Sequence, residues 1–336
     1  MAEAASDARL EKPAGRPHPP RWLGPLVAVA VLTLAAALLL RTLGNYSAAR
    51  LAASIEAASL ARLGAAALFA ALSYLCLGLF DWLALRYAGR PQPWRRAALA
   101  SFCALSIGHN LGFAALSSGA VRYRFYSRFG LSAGEVARVI VFCGATVGLG
   151  LLGLAALVFL GRPGLVSSLT GLPEPAVLGL GAGCAALVCA YLALAALARR
   201  PLRLRAWSLR MPGFRLALAQ LSVGTLNFAL VAACLHQALS AVATVSYPQA
   251  TAAYLLANAG ILVSHVPGGI GVLEAVVTFL LPNADIIAGL LLFRLVYYLV
   301  PLALGGATFA LTEILARRAR RLSASAGPAG AARRRA

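Results

Sequence analysis

Residues 97–119 read AALASFCALSIGHNLGFAALSSG, an apolar stretch of membrane-crossing length with glycine, histidine and asparagine at its centre. Arg86, Arg90, Arg95 and Arg96 precede it, and Arg122, Arg124, Arg128 and Arg138 follow it. If this stretch crossed a bilayer, one of those basic groups would lie outside, against the preference of Lys and Arg for the cytoplasmic side. A hairpin that dips in and returns keeps both groups inside. Broken backbone at membrane depth is tolerated only when it is buried in protein or lines a wet cavity. The sequence therefore predicts a broken, re-entrant hairpin, interrupted at Gly108-His109-Asn110-Leu111-Gly112 and ending at Ser117-Ser118-Gly119.

The rest of the chain follows from the same rules. Apolar residues make up 61% of it and charged ones only 12%, too few to cover the surface of a soluble protein this long. Long uncharged runs such as Pro25 to Leu40 and Val139 to Gly161 approach or exceed the roughly 18 residues that span a hydrocarbon core. Full crossings are expected near 22–42, 63–87, 135–160, 176–198, 216–240 and 285–316. Residues 1–21 and 317–336, rich in Pro, Gly, Ala and Arg, read as disordered tails around a membrane domain at 22–316. The net charge of +20 would suggest nucleic acid in a soluble protein. Here the basic residues sit between apolar runs, as cytoplasmic loops do, so a membrane is the expected partner and nucleic acid is not.

A second interrupted stretch, 249–281, carries Pro267-Gly268-Gly269-Ile270-Gly271. Placing every strong basic cluster in the cytoplasm puts both termini there and makes this stretch a hairpin entering from the opposite side. Crossing, hairpin, crossing then occurs at 63–160 and again, inverted, at 216–316. Asn110-x-Gly112 before Gly119, and Asn258-x-Gly260 before Gly268 and Gly269, echo one another. Inverted repeats with discontinuous helices are the layout in which many transporters hold substrate near the midplane. The fold class is thus an all-α polytopic membrane protein with about six transmembrane helices, two broken hairpins and a candidate inverted repeat.

Ionisable residues inside such a domain are costly and should pair. Glu274 lies eight residues before Pro282, and Arg294 nine after Asp285. At about 1.5 Å of rise per residue both reach a similar depth on adjacent antiparallel helices. The pair either locks the hairpin or exchanges one partner for a lipid headgroup. Val121-Arg122-Tyr123-Arg124-Phe125-Tyr126-Ser127-Arg128 interleaves cations with aromatics, as a phosphate-binding interface or a plain positive-inside loop would. Asp81 is expected to form an interfacial pair with Arg86. His109, His236 and His265 fall in apolar context, where proton relay and hydrogen-bonded packing both remain open.

Other chemistries find no support. Cys76, Cys103, Cys143, Cys184, Cys189 and Cys234 are scattered singly, without metal spacing, so neither a disulfide framework nor a metal site is expected. Gly148-Leu149-Gly150-Leu151-Leu152-Gly153 matches G-x-G-x-x-G but lies mid-crossing without a preceding strand. It reads instead as small residues for close helix packing. No cofactor is expected.

Gly108-His109-Asn110-Leu111-Gly112-Phe113 through Gly119 to Ser132, and Pro267-Gly268-Gly269-Ile270-Gly271-Val272-Leu273-Glu274, resemble the two signatures of the lysylphosphatidylglycerol synthase/flippase membrane domain. The resemblance spans roughly 63–316 and implies translocation of aminoacylated phosphatidylglycerol between leaflets. It implies Arg122, Tyr123, Arg124 and Tyr126 as headgroup residues, with Gly268, Gly269 and Glu274 from the second signature. His109 and Ser118 depart slightly from the family pattern. The chain ends about 20 residues after its last expected crossing, so the resemblance is to the flippase half without the soluble lysyl-transferase domain, and enzyme activity is not the leading expectation. The expected function is an inner-membrane, flippase-like transporter of an anionic or aminoacylated phospholipid. The alternatives are a membrane subunit of an enzyme acting on lipid-linked substrates, or a scaffold. The expected site comprises Asn110, Arg122, Tyr123, Arg124, Tyr126, Gly268, Gly269, Glu274 and Arg294, with Asp81, His109 and His265 as accessories. Membrane phospholipid is the expected partner, with a second copy or a lipid synthase as further candidates.

Overall fold

The computed structural model describes residues 56, 58–111, 114–197, 202–204, 207–209, 211–264, 269, 271–282 and 286–325. The expected crossing at 22–42, the N-terminal tail, His265 and Gly268 lie outside these residues. The helices are α1 (Leu60–Tyr87), α2 (Trp94–Leu111), α3 (Ala114–Arg128), α4 (Ala133–Gly161), α5 (Pro163–Thr170) and α6 (Glu174–Leu197). They are followed by α7 (Phe214–Ser240), α8 (Tyr247–Ser264), α9 (Val272–Leu280), α10 (Ile286–Arg294), a π-helical turn at Leu295–Leu299 and α11 (Val300–Ser325). Between α6 and α7 lies a short antiparallel ribbon, β1 (Leu202–Leu204) with β2 (Trp207–Leu209).

Five helical stretches among the described residues are long and apolar enough to cross a membrane: Leu60–Tyr87, Ala133–Gly161, Glu174–Leu197, Phe214–Ser240 and Ile286–Arg318. They coincide with the last five crossings expected from sequence. Apart from the short ribbon the described elements are helices, and the protein is a polytopic helical membrane protein. Its boundaries follow local chemistry. Ser132 accepts from the backbone N–H of Glu135, and the Glu135 carboxylate accepts from the Ser132 N–H, a capping box that starts α4. The final helix runs on to Ser325, nine residues beyond the end expected for the last crossing.

The first hairpin differs in detail from expectation. Helix α2 continues through Gly108, His109 and Asn110 to Leu111, and α3 begins at Ala114. A glycine inside a helix costs only about 1 kcal/mol, which burial of a whole apolar face offsets. The Asn110 side chain meanwhile folds back to donate to Ser106 O at 3.0 Å instead of ending the helix. Ser117, Ser118 and Gly119 lie within α3, and Arg122 to Arg128 form its C-terminal half, not a loop.

Contacts fix the relative directions. Arg62 at the start of α1 donates to Gln237 near the end of α7, and Ser73 donates to Asn227 midway along both, so α1 and α7 are antiparallel. Gln220 bonds Thr146, and Gly224 sits against Gly150, so α4 and α7 run parallel. Arg90, before α2, donates to Gly130 O, after α3, at 2.6 Å, and Arg96 lies over the Phe129 ring. The two ends of the first hairpin therefore meet on one side. In the second, Gly260 of α8 faces Val272 and Val276 of α9, and Gly289 of α10 packs against Leu239 at the end of α7. That hairpin returns to the side it entered from. Asn258 donates to Tyr254 O at 2.8 Å, the same one-turn-back bond that Asn110 makes. Helix, hairpin, helix thus occurs twice, with the leading helices antiparallel.

The α4–α7 approach depends on glycine. A Cβ on Gly150 would lie 2.4 Å from the Gly224 backbone, and one on Gly153 2.4 Å from Thr225 Oγ1, whereas Gly148 faces open space. The G-x-G-x-x-G run serves helix packing. Gly150→Leu should cost about 1–3 kcal/mol through overpacking, and Gly148→Leu close to nothing. Thermal unfolding of detergent-purified protein, read by size-exclusion fluorescence, distinguishes the two.

Candidate functional site

The second hairpin breaks where Gly269 and Gly271 adopt φ of 59° and 84°, left-handed values that favour glycine. Three residues after Gly271, the Glu274 carboxylate reaches back to accept the Gly271 N–H at 2.8 Å, in the first turn of α9 where the helix end favours negative charge. Arg294, the last residue of α10, meets it with a fork: Nε to Oε1 at 2.7 Å and Nη2 to Oε2 at 3.0 Å. The same Nη2 donates to Gly269 O at 3.0 Å. Arg294 thus ties together both edges of the break. Its side chain is 3% exposed against 19% for Glu274, so the carboxylate is the more accessible partner. The depth matching expected from sequence is what brings the two together.

Immediately after Arg294 the helix loosens into the π turn. Pro301 has no N–H to offer the carbonyl four residues earlier, that of Tyr297. The Tyr74 hydroxyl of α1 donates to this carbonyl at 3.4 Å. The Tyr297 hydroxyl in turn lies 3.0 Å from Ser73 Oγ, which donates to Asn227 Oδ1 at 2.8 Å. His109, near the tip of the first hairpin, stacks on Tyr297 at 17° and lies 6.4 Å from the Tyr298 ring. Arg294 sits 5.1 Å from the Tyr298 ring centroid. One aromatic cluster therefore joins α1, the first hairpin and the π turn, and Arg294 links it to Glu274 of the second hairpin. Ser73, Tyr74, Asn227, Tyr297 and Tyr298 did not stand out in the sequence. The available signals were Asn227 in mid-crossing and Pro301 four residues beyond Tyr297.

Asp81, Arg122, Tyr126 and Arg124 occupy two other ionic clusters. Asp81, fully buried, is paired with Arg122, not Arg86. Arg122 Nε lies 3.1 and 3.0 Å from its two oxygens and Nη2 lies 2.8 Å from Oδ1. Tyr126 donates to Asp81 Oδ2 at 2.6 Å, and Cys143 approaches Oδ1 at 3.4 Å. The sequence distance to Arg86 misled because the helical path of α3 carries Arg122 inward. Arg86 instead stacks on Trp82, 3.5 Å from its ring centroid. In this conformation Arg122 and Tyr126 both bond to Asp81 of α1. Arg124 and Arg128 both bind Glu313 of α11, which is 3% exposed and went unmarked in the sequence. Tyr123 points outward, 41% exposed. Asn110 is buried on its own helix. No group of three potential metal ligands occurs among the described residues.

The family described as the lysylphosphatidylglycerol synthase TM region matches residues 23–305. The chain belongs to that family. Among its relatives is the uncharacterized protein slr0712 of Synechocystis, 29% identical over 83% of this chain and 88% of the relative. Inner membrane protein YbhN of Escherichia coli is 30% identical over 74% of this chain and 79% of the relative. This member of the lysylphosphatidylglycerol synthase TM region family therefore carries the resemblance read from its two hairpins across most of its length.

In this family member the Asp81–Arg122 pair offers a direct test of buried charge. Removing one partner strands the other, at about 3–5 kcal/mol. Asp81→Asn or Arg122→Gln alone should sharply lower thermal stability in detergent. The double replacement should cost less than the sum, a coupling that a double-mutant cycle measures.

Proposed function

We propose that the protein is an inner-membrane, flippase-like transporter that moves an anionic or aminoacylated phospholipid, of the lysylphosphatidylglycerol kind, between leaflets. Membership of a family described by lysylphosphatidylglycerol synthase supports the substrate class, and the name of the relative YbhN supports an inner membrane. The observation that carries the reading is the Glu274–Arg294 pair at the break of one hairpin, joined through Tyr298 to His109 at the tip of the other. A phosphate presents the same two-oxygen edge to guanidinium as a carboxylate does. A lipid phosphate therefore exchanges with Glu274 on Arg294, while Glu274 keeps its bond from the Gly271 N–H at the start of α9. With the pair closed, the empty site carries no net charge and stays sealed. With the headgroup bound, Arg294 remains neutralised as the hairpins move.

Purified protein in liposomes of phosphatidylethanolamine and phosphatidylglycerol should translocate a fluorescent phosphatidylglycerol. Arg294→Gln and Glu274→Gln should each reduce the rate by about tenfold or more, the effect expected for losing one member of a buried charge pair. The exchanged pair Glu274→Arg with Arg294→Glu should fold yet fail to transport, because the cation then lies on the wrong side of the break. Full transport by the exchanged protein would exclude direct headgroup contact.

The proposed orientation has both termini and the ends of the first hairpin in the cytoplasm. In a background with all six cysteines replaced, Thr244→Cys should react with an impermeant maleimide in intact spheroplasts. Ser127→Cys should react only after permeabilisation. The reverse pattern would invert the topology.

A further inference from the structure

The interior carboxylates Asp81, Glu274 and Glu313 each meet arginine. His109 is handled differently. Its Nδ1 is buried and makes no hydrogen bond. A neutral imidazole has one donor nitrogen and one acceptor nitrogen. Leaving such a group unmade inside a protein is costly, and the His109 ring lies 6.4 Å from that of Tyr298, which Arg294 also approaches.

We propose that His109 is a proton-binding site linked to the opening of the Glu274–Arg294 pair, so that lipid binding and proton uptake occur together. The inference rests on the transport reading and supplies its driving force.

The surroundings favour this linkage. Tyr74 of α1 and Tyr297 and Tyr298 of the π turn face the imidazole ring. Cys234 of α7 and Tyr254 of α8 are within electrostatic reach of these tyrosines. Arg122 of α3 is within electrostatic reach, its charge met by Asp81. Helix α11 meets α2 here through Gly305 against Ser106 and brings no charge. With both ion pairs closed the surroundings of His109 carry no net charge, and an imidazolium would be an uncompensated charge. When a lipid phosphate takes Glu274's place on Arg294, the released carboxylate adds one negative charge, which a proton on Nδ1 balances. Aromatic faces suit that cation. The proton enters from the side to which the site is open and leaves when Glu274 recloses on Arg294 at the other. A pH gradient then biases the direction of lipid movement. Because linkage is reciprocal, lipid should bind more tightly as pH falls.

Isothermal titration of the full-length protein with short-chain phosphatidylglycerol, in two buffers of different protonation enthalpy, tests this. Wild type should take up close to one proton per lipid, with affinity rising by up to about tenfold per pH unit lowered. His109→Gln should bind lipid without proton uptake, whereas His236→Gln, whose native ring bonds Val245 O, should take up protons as wild type does. Lipid binding by wild type with no proton uptake would overturn the linkage while leaving the transport reading intact. So would uptake that persists in His109→Gln or disappears in His265→Gln. Should His109→Gln fail to fold, the wild-type proton count decides alone. Absence of lipid binding together with absence of translocation would overturn the transport reading, and this inference with it.

Discussion

A peptide group freed inside a bilayer has no water to bond, so each interruption of a helix must be answered by another part of the protein. That constraint organises the whole molecule. At the second hairpin Arg294 answers it, holding Gly269 O and, through Glu274, the Gly271 N–H. At the π turn Tyr74 answers for the carbonyl that Pro301 leaves open. Each answer uses a polar or charged side chain at a depth where such groups are expensive. Those side chains consequently gather where the backbone is broken.

Division of labour among the three ionic clusters follows from exposure. Asp81 with Arg122 and Tyr126 is sealed and joins the first hairpin to α1, as a fixed support would be. Glu313 gathers Arg124 and Arg128 and joins the same hairpin to α11. Glu274 is the most exposed of the three carboxylates and sits at a break, where small backbone rotations move it most. A rigid first hairpin facing an exchangeable pair on the second is a sensible arrangement for a site that must change partners without collapsing.

Parallel and antiparallel contacts among α1, α4 and α7 give the two repeats a shared spine. Gly150 and Gly224 let backbones approach at a distance that no side chain would allow. Without a hydrophobic drive between helices in lipid, such close packing supplies much of the association. The Ser73–Asn227–Tyr297 bonds cross this spine at mid-depth and tie it to the π turn.

Much of this was readable from residue order. Uncharged runs and clumped arginines located the five crossings, because lipid excludes charge over a fixed thickness. Depth counting paired Glu274 with Arg294, because both lie on short helices leading from one turn. What sequence could not supply was rotation about each helix axis and the partner across a gap of many residues. Asp81 had a nearby arginine in sequence, yet folding placed Arg122 beside it, 41 positions away. Glu313 and Tyr297 looked like ordinary members of apolar helices until packing set them against Arg124 and Tyr74. Sequence determined which segments enter the membrane, since that depends on local polarity summed along the chain. Tertiary structure alone decided which buried charges meet, since that depends on how the helices turn toward one another once inside.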